Sequence, residues 1–516
     1  MKNRDIQATW TYHNETKHSY ESIRANRHYL DWDNQPIPFK IYPALEPIPL
    51  PRQVSGSEMT ALEAISTPTH AAKDFCLPSI QDLSEILYLS AGITRRRNYP
   101  GGEILFRAAA CTGALYHIDL YLVSGELSNL AAGVYHFGPQ DFALRRLRDG
   151  DYRDSLVKAS GNESAIARAP VIIVCVSTYW RNAWKYQARA YRHCYWDSGT
   201  ILANLLAAAA ARQVPAKIVL GFIDESVRRL LSLDSEREGA LALVGLGKGP
   251  AQPANISPTV EFLNLQTVPL SKSEVDYPLI RNMHEASSLE SAEEVVNWRC
   301  GIPAVVPPEL KKPPAISPGV LTPLWNDEIP RESLEQVIER RGSTRQFARD
   351  AISLTQLSTL LDRGTRDIAA DFLKPGEGWL NDIYLIVHAV EELSSGAYVF
   401  HRETASLEQL KQGDFRREAG YLGLGQEIPA DCSVNVFFLT DLNEVLTRFG
   451  NRGYRAAQLE AAIIAGKLYL GAYALRLGAS GLTFFDDDVT EFFSPHAVGK
   501  SVMFLLALGK SVKRKS

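Results

Sequence analysis

The sequence predicts an α+β chain made of two homologous domains in tandem, and three observations carry that prediction. First, an offset of 263 residues brings Gly133-Val134-Tyr135 onto Gly396-Ala397-Tyr398 and holds without a gap through Leu144 on Leu407, Leu147 on Leu410, Gly150 on Gly413 and Arg153 on Arg416. Second, VIIVCVS from Val171 and VNVFFLT from Val434 coincide at the same offset, and both read as buried strands. Third, Tyr191-Arg192 meets Tyr454-Arg455 and Asp197 meets Glu460. Each pair opens a long Ala/Leu-rich segment, Ile201 to Ala211 and Ala461 to Leu477, that reads as a core helix. The segment LALVGLGK, ending at Lys248, answers MFLLALGK, ending at Lys510.

From these matches the chain divides into an extended arm over 1–60, a first domain over 61–250, a proline-rich connector over 251–330 and a second domain over 331–516. Prolines 36, 38, 43, 47, 49 and 51 make the arm extended. The pairs Pro307-Pro308 and Pro313-Pro314 exclude regular helix and central strand from the connector. At 516 residues there is room for two or three cores.

Charge excludes several function classes. With a net charge of −4 and both signs interspersed, no basic footprint for nucleic acid or an anionic membrane is present, which leaves a small-molecule or peptide substrate. The longest apolar stretch, around 201–211, is about half the ~20 residues a membrane span needs. Six cysteines without a CxxC pair, and a polar N-terminus without an apolar signal core, point to the reducing cytoplasm. His13, His18 and His28 lack metal-site spacing, so no metal is expected.

The halves differ in the residues that carry chemistry. In the second half, Arg341-Gly342-Ser343-Thr344-Arg345 sets two guanidiniums four apart with a hydroxyl between, a pattern that can converge on a phosphate. By itself it is also the pattern of a solvated charged turn. Later, Leu477-Gly478-Ala479-Ser480-Gly481-Leu482-Thr483 allows close backbone approach to a flat ligand, with Gly478 also expected to close the preceding helix in the left-handed conformation. Asp486-Asp487-Asp488 then starts a helix.

The first half has neither motif. Opposite the arginines it reads Thr67-Pro68-Thr69-His70-Ala71, at an offset of 274 set by Leu83 on Leu357, and opposite the glycines Pro215-Ala216-Lys217-Ile218. It keeps instead Cys111-Thr112-Gly113-Ala114, where the second half has Lys374-Pro375-Gly376-Glu377, and Lys185-Tyr186, where the second half has Arg448-Phe449. Lys185 and Tyr186 alone also fit a surface lysine and a core tyrosine. Cys111 reads as structural, with only His117 near it as a base.

Together these elements resemble the nitroreductase-like flavoproteins, and within them the SagB-type dehydrogenases and thiazoline oxidases, over most of the chain, including TYHNETKHSY and LDWDNQPIPFKIYP in the arm. The resemblance implies that Arg341, Ser343 and Arg345 hold the FMN phosphate and ribityl chain, and that Gly481, Leu482 and Thr483 lie against the flavin ring near N5. It further implies that AACTGALY at 109–116 is the loop contributed across a dimer interface, with Ala110 and Cys111 where proline and serine are usual, so that Cys111, Thr112, Gly113 and Ala114 face the cofactor. Lys185-Tyr186 falls on the Lys-Tyr pair that serves azoline dehydrogenases.

Such proteins form homodimers with two shared sites. Here the two domains would make an intrachain pseudo-dimer, which leaves a further homodimer open, with one FMN per chain and an empty mirror-related site. The expected reaction is oxidation of a small heterocycle or peptide azoline, with Lys185 as base, Tyr186 orienting it or relaying the proton, and hydride passing to FMN N5. The rival readings are an NAD(P)H-dependent nitro- or quinone reductase and a non-catalytic flavin-binding partner in a biosynthetic complex.

Overall fold

Both halves build the same sheet, because β-branched and aromatic runs recur at the same spacing in each. The computed structural model describes residues 2–26, 28–52, 56–69, 75–99, 102–250, 258–300, 322–323, 325, 327–373 and 378–512. Across the first sheet the strands run Pro47–Pro49, Ala143–Asp149, Gly133–Gly138, Ile118–Ser124, Val171–Thr178, Glu238–Leu246 and Ala216–Val219. Across the second they run Ser406–Gln412, Gly396–His401, Asp382–Val387, Val434–Thr440, Ser501–Gly509 and Gly478–Leu482. Apart from the added edge strand, the order is identical.

Register repeats as well as order. Leu122 lies opposite Tyr135, and Leu385 opposite Tyr398, both at the offset of 263 that aligns the sequence. The register shifts between Val134 and Tyr135 and again between Ala397 and Tyr398; a second shift at Cys175/Val176 recurs at Phe438/Leu439. Bulges re-aim side chains and are retained features of a fold, so their recurrence marks the halves as copies of one domain.

The halves meet through their longest helices, Ala190–Ala211 and Arg452–Ala474. Gly199 faces Ala462, its own equivalent, so closely that a Cβ on the glycine would overlap the alanine. Ala203 faces Gly466 in the same way, where an added Cβ would stand 2.6 Å from the alanine methyl. Contact between equivalent residues is the mark of an approximate two-fold axis. Ion pairs obey the same symmetry: Asp486 accepts from Arg189 at 2.9 Å and Arg192 at 2.5 Å, while Asp224 accepts from Arg452 at 2.6 Å and Arg455 at 2.8 Å. Each half therefore presents its acid to the other half's arginines, and one apolar core runs continuously through both.

Three expectations need correction. The arm is not extended throughout, since Gln7–Glu15 and Tyr20–Ala25 are helical; its prolines all follow position 35, which leaves the first part free to coil. The arm caps the second half, where Asn451 donates to the carbonyls of Lys2 and Asp5, and then adds the edge strand Pro47–Pro49 to the first sheet. Prolines are tolerated there because an edge strand need not donate on its outer side. Likewise the connector contains the helices Pro278–Ala286 and Ala292–Cys300, the first beginning with proline, where the missing N–H is no loss. Pro307-Pro308 and Pro313-Pro314 lie outside the described residues, as do His70, Ala71 and Lys374 to Glu377.

The third correction concerns Gly478. The left-handed residue after the helix is Arg476, with φ of 60°, and Gly478 already begins a strand. A glycine is needed at 478 because a Cβ would overlap Thr344 Oγ1 and Ser511 Oγ. Gly478→Ala is thus expected to push the arginine turn off the strand and to cost about 1–3 kcal/mol in urea unfolding; a neutral result would show the turn yields freely.

Candidate active site

A cavity of about 360 Å3 opens where the two halves meet, and both contribute to its wall. Of the residues singled out by sequence, Cys111, Thr112, Gly113, Lys185, Tyr186, Ser343, Arg345, Gly481, Leu482 and Thr483 all line it. Two do not. Ala114 is exposed beside it, and Arg341 is buried behind it, donating from Nε to the carbonyl of Ala108 and from Nη2 to that of Arg107, both at 2.8 Å. Arg341 is thus a strut from the second half to the segment that leads into the first-half loop, rather than a cavity cation.

That loop is held by one carboxylate. Asp197 Oδ1 accepts from Thr112 N at 2.9 Å and Thr112 Oγ1 at 2.7 Å, while Oδ2 accepts from Cys111 Sγ at 3.0 Å and hydrogen-bonds His117 Nε2 at 2.9 Å. His117 is backed in turn by Ser177 at 2.9 Å, and Thr200 fixes the preceding carbonyl of Ala110 at 2.7 Å. Burial, then the Asp197 charge, pushes the Cys111 thiol well above its ordinary range, so it stays a protonated donor to Asp197 and is unsuited to nucleophilic attack. Gly113 has φ of 64°, and a Cβ there would stand 2.8 Å from Tyr186 Oη. The tyrosine hydroxyl is therefore seated directly on the loop.

Lys185 and Tyr186 end the helix Tyr179–Tyr186, with Lys185 Nζ 5.4 Å from the Tyr186 ring centroid. Partial burial, and then the Arg345 guanidinium, hold the Lys185 ammonium below its ordinary range. Burial, then Asp197 and Cys111, raise the Tyr186 phenol, which stays protonated. Among the described residues neither Lys185 nor Arg345 has a carboxylate partner. Two unneutralised cations facing one cavity suit an anionic ligand.

Comparison with the mirror position sharpens which backbone groups face a ligand. There Ile218 N donates to Ala369 O at 2.8 Å, Asp371 N donates back to Ile218 O at 3.0 Å, and the Asp371 carboxylate takes Leu220 N at 2.8 Å and Gly221 N at 2.9 Å. The second half's own chain thus fills the mirror-related position. At the offset of 263, Ile218 corresponds to Gly481, Leu220 to Thr483 and Gly221 to Phe484. Gly481 N is taken by Tyr469 Oη at 2.7 Å, whereas no partner for the Thr483 or Phe484 amide is found among the described residues, and the buried Thr483 Oγ1 is likewise unpaired. Of these, Thr483 lines the cavity, so its amide and hydroxyl are the unpaired donors there.

Sequence reading missed Tyr469, Asp197 and His193, all of which line the cavity. Asp197 was hidden by its similarity to Glu460. Tyr469 and His193 had a usable signal, since their equivalents at the same offset are Leu206 and Ala456, as different as Lys185-Tyr186 is from Arg448-Phe449.

The Nitroreductase family profile matches residues 82–248 and 338–510, one copy in each half. A nitroreductase-type protein of Methanocaldococcus jannaschii is 23% identical over 198 residues, 38% of this chain and 95% of that one. The microcin B17-processing protein McbC of Escherichia coli is 26% identical over 158 residues, 30% of this chain and 54% of McbC, so the match spans about half of that relative. The crystal structure of a nitroreductase-type protein from Anabaena variabilis superposes with a TM-score of 0.76 at 27% identity, covering 98% of this chain and 99% of that one. Among the described residues no helix is long and apolar enough to cross a membrane.

Proposed function

The chain belongs to the Nitroreductase family and is an oxidoreductase of that type, and on that premise we propose that it uses one FMN per chain to oxidise a small heterocycle or peptide azoline. The observation that carries this reading is the convergence of Ser343 and Arg345 from one half with Lys185, Tyr186 and the 110–113 loop from the other around a single cavity. Its volume, about 360 Å3, lies within the range of small-molecule pockets. Its unsatisfied groups fit a flavin mononucleotide: an exposed arginine and serine for a phosphate, and the unpaired amide and hydroxyl of Thr483 for the acceptor edge of a flat ring.

In this reading Ser343 and Arg345 bind the phosphate, Thr483 orients the ring, and the Asp197-held loop closes its other side. Bound FMN supplies the two-electron acceptor for a hydride leaving the substrate carbon. Lys185 removes the proton from the neighbouring acidic carbon, its lowered affinity for protons leaving more of it neutral, and Tyr186 holds the substrate heteroatom by a hydrogen bond from its protonated phenol. The resemblance to SagB-type dehydrogenases and thiazoline oxidases, carried by Lys185-Tyr186, supports an azoline substrate over a nitro compound.

The test is the visible spectrum of the purified protein with its flavin stoichiometry. One FMN per 516-residue chain is expected, because the mirror position is occupied by Ala369 to Asp371. Two flavins per chain would overturn the asymmetry, and none after FMN addition would overturn the enzyme reading. Rapid bleaching by NADPH in the absence of any heterocycle would favour a nitro- or quinone reductase instead.

A further inference from the structure

Tyr469 stands on the core helix Arg452–Ala474 with its ring 3% exposed, and its phenol joins two walls of the cavity that are far apart in sequence. Gly481 N lies 2.7 Å from Tyr469 Oη, and Tyr469 Oη lies 3.2 Å from Ser343 Oγ. An amide can only donate, so the phenol oxygen accepts from Gly481. Between the phenol and Ser343 Oγ either oxygen can be the donor, and Ser343 Oγ has no other hydrogen-bond partner among the described residues. With the phenol as donor, the Ser343 hydroxyl proton is left for the cavity, on whose wall Ser343 is exposed.

The first half shows what happens without the tyrosine. Its residue equivalent to Tyr469 is Leu206, and Thr69, equivalent to Ser343, donates its hydroxyl at 2.7 Å to the backbone carbonyl of Ala216. The hydroxyl at this place is thus committed to a backbone carbonyl in the half without a phenol, and meets the phenol oxygen in the half with one. The ring is held from its other side by Arg341, whose guanidinium carbon is 6.0 Å from the ring centroid and which is itself fixed to the carbonyls of Arg107 and Ala108.

We propose that Tyr469 is a positioning residue that, by accepting from Gly481 and donating to Ser343, turns the Ser343 hydroxyl proton toward a phosphate monoester in the cavity. This rests on the reading that Ser343 and Arg345 receive the phosphate of FMN. A pre-aimed hydroxyl needs no reorientation when the anion arrives, and a hydrogen bond to a charged group is among the stronger ones.

The experiment is titration of the full-length apoprotein with FMN and with riboflavin, which lacks the phosphate, for the wild type, Tyr469→Phe, Ser343→Ala and the double variant. Wild type should prefer FMN. Tyr469→Phe should weaken FMN about tenfold, leave riboflavin within twofold, and add nothing further on the Ser343→Ala background. The inference is overturned by unchanged FMN affinity in Tyr469→Phe, by equal weakening of both ligands, as loss of a merely structural wall would give, or by additive losses in the double variant. If the wild type binds riboflavin as well as FMN, or binds neither, the phosphate reading itself fails, and with it this inference. Should Tyr469→Phe not fold, Tyr469→Leu, which installs the residue of the first half, gives the same comparison.

Discussion

Asp486→Asn is expected to destabilise the protein by roughly 3–5 kcal/mol, because it leaves two buried guanidiniums without a counter-charge. Arg189 and Arg192 are 4% and 0% exposed, and Nε and Nη2 of Arg189 already lack partners, so no nearby group can take over. Burial works against ionisation of Asp486, yet the two arginines outweigh it and hold the carboxyl below its ordinary range. With a folded pKa depressed relative to the unfolded chain, the stabilisation is fully present above about pH 4 and is lost as pH falls through the lowered folded value. Urea midpoints of wild type and variant should therefore differ near neutrality and converge in acid. A shift smaller than about 1 kcal/mol at neutral pH would mean that the pair contributes no more than a surface ion pair. The reciprocal variant Asp224→Asn should behave alike.

Lys185→Ala is expected to lower azoline oxidation by about 10²- to 10⁴-fold, the usual range for loss of a general base, while flavin content stays at one per chain. Only the neutral amine accepts a proton, so kcat/KM in the wild type should rise with pH through a Lys185 pKa lying below the ordinary 10.5. The alanine variant should lose that limb. Undiminished turnover in a flavin-loaded Lys185→Ala protein would remove the lysine from the chemistry.

The fold was legible because the repeat is nearly free of gaps. The strands Gly133–Gly138 and Gly396–His401, Ala143–Asp149 and Ser406–Gln412, and Glu238–Leu246 and Ser501–Gly509 start and stop at one offset. The core helices were underestimated at their N-terminal ends, since Arg192, His193 and Asp197, with Arg455 and Glu460 opposite them, are buried polar residues that break the apolar pattern. Proline counts misled in the arm, whose helices precede its prolines, and in the connector, where the sequence between prolines is long enough to coil. At the site, the conservative difference between Asp197 and Glu460 hid the carboxylate, whereas Tyr469 against Leu206 and His193 against Ala456 were differences in type that lay inside the core helices and so read as packing. Arg341 shows the limit of motif reading: it belongs to the arginine turn, yet the fold uses it to reach across to Ala108.

The crossing of the two long helices also decides which half can pair with which. The acids and arginines of the interface are present in both halves, so charge alone would let either half bind a copy of itself. The glycines would not. Two first halves would set Ala203 against Ala203, and two second halves Ala462 against Ala462, at contacts where one alanine methyl already fills the space and a second would stand within about 2.6 Å of it. Only a first half on a second half offers a glycine to an alanine at both points, which makes this short stretch of backbone a steric code for unlike partners.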